Sequence, residues 1–418
     1  MNQELVRIVD NIARDKNIDK ESVFTDLEEA MVSAAKKHFG QPDSNVSVHI
    51  DRTTGEITAF KDEVKINIRQ LGRIPAQTAK QVMVQRIRAD ERNSIYAEFS
   101  QRKGEIVSGS VVRYESGTLI VNLNHRTEAF MPKSKQIMGQ THRPGERIRC
   151  LIVDVKEVSS QVKIILSRVH PDFIRKLFEL EVPEIAENII EIRALAREAG
   201  YRTKVAVASL DEKVDPVGAC VGVRGSRIKN VVDELGGEKI DIVRWNDSSQ
   251  VLIANSLMPA KVSEIALCFE SGRSTVVVDE DQLSLAIGKH GQNVRLAARL
   301  TGWDIDILTP DEYNQGIERL TGCVRKVGGA DDTLVDKLIA LGVISILDVE
   351  DVGPEPLVKE LGIDQAVAKE LVATATEEAR ILTAESKRNQ AEAILDHEHK
   401  KEQPEPTNGQ EQEVSKGT

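Results

Sequence analysis

Aromatic side chains make up only 3% of this 418-residue chain, which excludes cores built on stacked rings. Cysteine is sparser still, with four residues. Cys150, Cys220, Cys268 and Cys323 lie at least 48 positions apart, with no C-x-x-C pair and no histidine at metal-ligand spacing. That pattern writes neither a disulfide framework nor a zinc site, and reads as four reduced structural thiols. No run approaches the ~20 apolar residues of a membrane span. The opening MNQELVRIVDNIARDK lacks the apolar core of a secretory signal. A cytoplasmic protein without a membrane partner is expected. Missing too are G-x-x-x-x-G-K-[ST], G-x-G-x-x-G, H-E-x-x-H and G-x-S-x-G, so no catalytic residue, cofactor or metal is expected, and no enzyme. Asp279-Glu280-Asp281 precedes a helical pattern and reads as N-terminal capping. His397 and His399 read as part of a solvated tail.

What is present begins with charge. The net charge of -11 would by itself argue against a nucleic-acid partner. It is unevenly placed: residues 311–380 hold 15 acids and 7 bases, residues 381–418 hold 8 and 5, and residues 1–310 hold 44 of each. The acidity therefore belongs to the C-terminal quarter. At 46.2 kDa the chain has room for about three or four domains.

Helical periodicity covers residues 3–15 and 22–39, the second carrying Phe24, Leu27, Ala30, Met31, Ala34 and Ala35, with Gly40 at a C-cap. Val46, Val48 and Ile50 alternate, as do Ile57 and Ala59 beyond the turn Thr53-Thr54-Gly55-Glu56, which predicts a hairpin. A longer helix follows over about 75–99, with Ala79, Val82, Met83, Arg86 and Ile87 on one face.

Five short strands are predicted next, at Glu105–Arg113, Thr118–Leu123, Glu128–Met131, Arg147–Val155 and Lys163–Ser167, spaced as in a small closed barrel. This is the basic block of the chain, with 12 bases against 6 acids over residues 102–168. Arg113, Arg126, Lys133, Lys135, Arg143, Arg147 and Arg149 fall in or near its loops and strand ends.

An internal repeat carries the most information. Chance alone gives about two G-x-x-G strings in a chain with this glycine content, so the string means nothing without its surroundings. Those surroundings match. Ala219-Cys-Val-Gly222-Val-Arg-Gly225-Ser-Arg-Ile228 aligns with Leu285-Ala-Ile-Gly288-Lys-His-Gly291-Gln-Asn-Val294 at an offset of 66. Each continues as an amphipathic helix to Gly236 or Gly302, then into Ile240-Asp241-Ile242 or Ile305-Asp306-Ile307. Upstream, Glu198-x-Gly200 matches Glu270-x-Gly272 at a hairpin turn. One unit of helix, hairpin, helix, G-x-x-G, helix and strand is written twice in tandem. The glycines allow a tight turn and close approach of another backbone. Residues 222–229 add Arg224, Arg227 and Lys229, and residues 288–299 add Lys289, His290, Arg295 and Arg299, with no acid in either stretch. Two local positive patches thus stand on near-neutral units, suited to a sugar-phosphate backbone.

Beyond residue 311 lies an acidic helical segment with turns at Gly342 and Gly362, similar to a helix-hairpin-helix unit. Asp348, Glu350, Asp351 and Glu355 carry no compensating base, which favours a protein contact over DNA. The tail has no core pattern and is expected to be disordered.

These motifs resemble the NusA family of bacterial transcription elongation and termination factors. Leu71-Gly72-Arg73-Ile74 through Gln85-Arg86-Ile87-Arg88 is similar to that family's polymerase-binding domain. Gly104-Glu105-Ile106-Val107-x-Gly109, Glu128-Ala129-Phe130-Met131-Pro132 and Leu166-Ser167-Arg168 resemble its OB domain of the ribosomal-protein S-one type. Glu181-Val182-Pro183-Glu184-Ile185 and the two G-x-x-G units resemble its paired KH domains. The resemblance implies a multidomain α+β chain: an α/β polymerase-binding domain (1–101), a five-stranded OB-type barrel (102–169), two prokaryotic-type KH domains (170–246 and 247–310), the acidic helix-hairpin-helix-like unit (311–383) and a disordered tail (384–418). It implies a monomer that docks on core RNA polymerase and binds nascent single-stranded RNA, alongside other antitermination factors, to modulate pausing, intrinsic termination and antitermination. Gly222, Arg224, Gly225, Arg227, Lys229, Gly288, Lys289, His290, Gly291, Arg295 and Arg299 are the candidate RNA contacts of the KH units, and Arg113, Tyr114, His125 and Phe130 those of the barrel. Leu119 stands where the family often has Phe, so base stacking is expected to be weak. Two roles stay open for the acidic C-terminal unit: competition with RNA for the basic surface, or contact with another polymerase subunit. An accessory RNA-processing or ribosome-assembly protein is the alternative. Exoribonucleases with KH and OB domains have the opposite domain order, and a ribosome-assembly scaffold needs no polymerase-docking domain.

Overall fold

The structure is a computed structural model that describes residues 2–16, 19–39, 45–62, 64–66, 73–124, 127–158, 161–328 and 332–381. Gly40, Leu71-Gly72, His125, Arg126 and the tail expected to be disordered (384–418) lie outside the described residues, as do the side chains of Ala34, Ala79, Val82, Met83 and Arg86. The described chain forms two compact units. One comprises Met1–Ile189, Glu198–Arg202 and Gly218–Ile240, the other Ile190–Arg197, Thr203–Val217 and everything from Asp241 onward.

The first unit opens with α1 (Asn2–Lys16), α2 (Lys20–Phe39) and a meander of β1 (Val46–Ile50), β2 (Ile57–Lys61) and β3 (Val64–Ile66). In β1 the alternation Val46, Val48, Ile50 buries every second residue, and Ile50 pairs with Ile57 across the predicted turn. Their core is Val9, Val23, Phe24, Leu27 and Ile50, with Ile87 of α3 (Arg73–Gln101) packed against it. Helix α3 then runs into the next domain, where Phe99 is buried in the barrel core.

That barrel is closed, in the order β4 (Ile106–Glu115), β5 (Thr118–Leu123), β6 (Thr127–Met131), β8 (Gln161–Ser167), β7 (Arg147–Val158). Leu119, Val121, Leu123, Ala129 and Met131 point inward with Ile148, Cys150, Ile152, Ile164 and Leu166. Closure between β6 and β8 is the thinnest seam, a parallel pairing of Ala129 with Ile164 and Phe130 with Ile165. Helix α4 (Pro171–Glu181) follows, capped by His170 Nδ1 accepting from the Asp172 amide, with Pro171 at its first position. The short α5 (Pro183–Ala186) completes this segment.

The predicted repeat then appears twice. Strands β9 (Ile190–Glu198) and β10 (Arg202–Ser209), α6 (Pro216–Val221), α7 (Ser226–Glu234) and β11 (Lys239–Arg244) form the first copy, with strand order β11-β10-β9. Helix α8 (Ser249–Leu257), β12 (Glu264–Cys268), β13 (Arg273–Val277), α9 (Glu280–Ile287), α10 (Gln292–Thr301) and β14 (Asp304–Leu308) form the second, in the order β12-β13-β14. Strands β12 and β13 are antiparallel, while β13 and β14 are parallel because two helices intervene. Asp279 occupies the expected N-cap of α9, but its side chain makes no cap hydrogen bond, so the acids act on the helix dipole alone. Within the second unit, Leu252, Leu296 and Leu300 from α8 and α10 bury against Ala194, Ala196, Ala206 and Val243 of the first copy's sheet.

The C-terminal helices are α11 (Pro310–Val324), α12 (Asp332–Ala340), α13 (Ile346–Val352), α14 (Pro354–Leu361) and a further helical stretch over 365–381. They share one core, which also takes in Cys268 from β12. The acids with no compensating base in the sequence find one in space. Arg273 of β13 contacts Asp348 at 3.1 Å, Asp351 at 2.9 Å and Asp306 at 3.4 Å. Asp348 is buried and serves twice, because its other oxygen closes the capping box of α13 by accepting from the Ile344 and Ser345 amides. Burial pushes the Asp306 carboxyl above its ordinary value against the pull of Arg273, and Asp304, Asp348 and Asp351 add to the rise. Three carboxylates therefore share one guanidinium, with Asp304 adding its charge nearby.

Two stability predictions follow from this junction. Arg273→Ala, which leaves buried Asp348 unpaired, should cost about 3 kcal/mol in urea unfolding of the full chain. Asp306→Asn should stabilise it near neutral pH: a carboxyl whose folded value is raised opposes folding above that value, and the gain should fade as acidification protonates Asp306 in the parent. Gly342 lies at φ +85, and a Cβ there would meet the Leu267 carbonyl and sit 2.7 Å from the Cys268 amide. Gly342→Ala should therefore lower the same transition by about 2 kcal/mol or more.

Candidate nucleic-acid interface

Both G-x-x-G loops have nearly the same backbone. Gly222 lies at φ 76, ψ 174 and Gly288 at φ 72, ψ 174, while Gly225 and Gly291 are left-handed at φ 77 and φ 70. Between them a non-glycine residue also takes the left-handed region, Arg224 at φ 52 and His290 at φ 54. Such a residue costs about 1–2 kcal/mol and persists where the surroundings impose it. Each loop is closed by one internal bond, from the Gly225 amide to the Gly222 carbonyl and from the Gly291 amide to the Gly288 carbonyl. The strained turn pushes Val223, Arg224, Lys289 and His290 outward, and all four are exposed. Val223 is 82% exposed, which no folding argument favours for valine.

What imposes the turn is the residue five positions after the first glycine. Arg227 Nη1 donates to the Ala219 carbonyl at 2.7 Å, and Asn293 Nδ2 donates to the matching Leu285 carbonyl at 3.3 Å. Asn293 also reaches the Leu257 and Ala286 carbonyls and is buried. These side chains fill the space beside the first glycine: a Cβ on Gly222 would lie 2.7 Å from Arg227 Cγ, and one on Gly288 would lie 3.0 Å from the Asn293 amide. Glycine is required there for close approach as well as for φ.

The structure sorts the basic candidates accordingly. Arg224 and His290 occupy matched loop tips, and Lys229 and Arg295 matched exposed positions on the following helix. Arg295 also props its own loop through the His290 carbonyl. Arg299 is exposed one turn further along, where the first copy has Asp233. Arg227 is different. Its guanidinium is paired with Glu184 at 2.9 Å, which together with Glu184's own backbone hydrogen bond holds that carboxyl below its usual range against a burial cost.

On the barrel, Arg113, Ile120 and Phe130 are cross-strand partners in one row, facing away from the core. Adjacent strands lie ~4.8 Å apart, which puts Arg113 and Phe130 about 10 Å from each other with the buried Ile120 between them. Arg113 is paired with Glu128 and Glu115, and Phe130 lines a groove of about 300 Å³ with Arg88, Arg92 and Gln161. Tyr114 is not part of that surface. It belongs to the row of Leu119 and Met131, and its hydroxyl accepts from the His142 amide at 3.1 Å. Sequence reasoning named Arg88 only within the stretch similar to a polymerase-binding domain and Arg168 only as the end of the OB-like domain; the groove beside Phe130 and the contacts of Arg168 come from the structure. Among the described residues no His, Cys, Asp and Glu cluster could hold a metal ion, and no helix is long and apolar enough to cross a membrane.

Removing the support behind each loop should separate stability from binding. Asn293→Ala leaves three carbonyls, two of them buried, without their donor and should cost about 2–3 kcal/mol by urea denaturation, whereas Arg224→Ala should leave the midpoint within about 0.5 kcal/mol.

Comparison with known proteins agrees with this geometry. Residues 168–245 match the NusA-like first KH domain, residues 249–315 the NusA-like second KH domain, and residues 4–64 and 59–93 the NusA N-terminal domain. The chain is 40% identical to a transcription termination/antitermination protein NusA of Halalkalibacterium halodurans, over 75% of this chain and 90% of that one. It is 40% identical to that of Bacillus subtilis, over 73% and 91%, and 42% identical to that of Mycobacterium bovis, over 70% and 89%. With two G-x-x-G units of one geometry in tandem and relatives matched along nine-tenths of their length, the chain belongs to the NusA family.

Proposed function

We propose that this protein is an RNA-binding transcription factor that docks on RNA polymerase through its N-terminal domain and holds nascent single-stranded RNA, modulating pausing, intrinsic termination and antitermination. The observation that carries the reading is the pair of loops. Two copies of one strained turn, each presenting outward bases from a stretch whose own sequence holds no acid, suit a backbone polyanion better than any small ligand. KH grooves grip about four nucleotides with this loop on the sugar-phosphate chain. Backbone contacts fall to Gly222, Arg224, Gly225, Lys229, Gly288, Lys289, Gly291 and Arg295, with His290 and Arg299 beside them. Arg227 acts by holding its loop in shape. On the barrel, taken as OB-type, Arg113 and Phe130 offer a phosphate partner and a stacking face, with Tyr114 on a separate row. The protein acts in the cytoplasm as a monomer.

The acidic C-terminal unit enters as a competitor for RNA only if it leaves Arg273, which already engages two of its carboxylates. Asp351→Asn, which removes only the exposed partner of Arg273, is therefore a gentler probe than truncation, which would strip cover from the buried Cys268 and Leu320.

Two measurements test the reading. Single-stranded RNA binding by the full chain should weaken with log[salt], and Arg224→Ala with Lys229→Ala should each lower the slope by about 0.7. Core RNA polymerase should co-elute with the full chain on gel filtration. RNA binding without polymerase capture would favour the RNA-processing or ribosome-assembly alternative. The whole chain is needed because Phe99 ties the N-terminal helix into the barrel core.

A further inference from the structure

We infer that the free edge of β12, with the helices packed beside it, is a docking groove for an extended basic peptide of a partner protein.

The groove has a volume of about 570 Å³ and runs along β12 between the start of α8 and the helices α11 and α12. Strand β12 ends the sheet order β12-β13-β14, so one of its edges has no neighbouring strand. Along an antiparallel strand alternate residues turn both amide and carbonyl to the same side. Ile265 and Leu267 are the residues that face the free edge. The Ile265 carbonyl accepts from the Gln250 side chain at 3.3 Å, a long and exposed bond, and the Leu267 carbonyl lies against Gly342. The edge is thus blocked at one end by backbone and elsewhere only by a surface amide that a peptide N–H can replace. An edge of this kind is a template for one more strand.

Charge selects the occupant. Asp247 and Glu264 line the groove, no lysine or arginine does, and neither carboxylate has a cation partner among the described residues. Burial pushes the Tyr313 phenol in the same wall above its ordinary value, and the Glu264 charge adds to the rise. A polyanion such as RNA is disfavoured there, and a cation is favoured. Phe269 stands at the rim, 72% exposed in a chain with only 3% aromatic residues. Its ring is fixed edge-to-face against Trp303, with centroids 5.2 Å apart, while most of its surface stays open to a guanidinium. The repeat dictates neither side chain: where the second copy has Glu264 and Phe269, the first has Ile192 and Arg197.

The test measures binding of the full chain to fluorescein-labelled octapeptides by anisotropy at about 0.15 M salt, which screens distant charges. A peptide of alternating valine and arginine should bind about tenfold or more tightly than one of alternating valine and glutamate. Two further valine–arginine peptides are N-methylated, one on its valines and the other on its arginines. One of them should lose about tenfold and the other stay within about threefold, because an added strand donates to its host from one set of alternate residues. Glu264→Lys should weaken the unmethylated peptide about tenfold, and Phe269→Ala about threefold. Both side chains are exposed, so the urea midpoint should stay within about 0.5 kcal/mol. Glu355→Lys, an exposed reversal that does not line the groove, should change binding by less than about twofold. Equal losses from Glu355→Lys and Glu264→Lys mark general attraction to an acidic chain and overturn the groove. Indifference to both methylated peptides overturns the added strand. Self-association of the peptide-free chain that Phe269→Ala abolishes makes a second copy the occupant, and a tenfold fall in RNA affinity on Phe269→Ala gives the groove to nucleic acid; either result overturns the proposal.

Discussion

Everything around the two loops depends on one constraint: a left-handed turn with an arginine or histidine at its centre cannot hold itself, so it must be held from behind. A single residue at a fixed distance does this in both copies. Arg227 and Asn293 differ in size and charge yet tie down the same carbonyl, three residues before the first glycine. The loop backbone can then be identical while its surroundings diverge. The exposed bases gain a rigid mount, and rigidity is what lets a few phosphate contacts count.

The helix after each loop shows how duplicated units come to have different neighbours. Its outward face is similar in the two copies, with Lys229 and Arg295 at equivalent positions. Its inward face is rewritten. In α7 that face is polar and meets carboxylates, an amide and a guanidinium. In α10 it is apolar and buries Leu296 and Leu300 against the first copy's sheet. A polar stripe fixes direction through hydrogen-bond geometry, and an apolar one excludes water over an area.

Charge follows the same economy. The chain is acidic overall, yet residues 1–310 are balanced, so the exposed positives of the two loops are local. Part of the acidity is consumed internally, where Asp348 and Asp351 meet Arg273. Asp348 can do so only because it is first a helix-capping residue, fixed by two amides before the guanidinium reaches it. Burial, with the surrounding carboxylates behind it, holds the Asp306 carboxyl above its ordinary value although it touches a cation.

Local patterns were enough to read the elements. The alternation in β1, the five barrel strands, both repeats and the turns at Gly342 and Gly362 follow from periodicity and from glycine in left-handed positions, which depend on neighbours in sequence. The G-x-x-G bases were legible for the same reason, since a short loop carries its own chemistry. Tertiary structure alone decided which of those bases face outward. Arg224 and Arg227 are three residues apart and chemically alike, but a carboxylate 43 positions away claims one of them. The separation of Tyr114 from Phe130, the pairing of Arg168 with Glu234 and the partner of the acidic helices were likewise set by contacts between residues distant in the chain. Sequence determines what each segment can form. Which of its polar groups are already satisfied depends on which distant groups packing brings within hydrogen-bond reach.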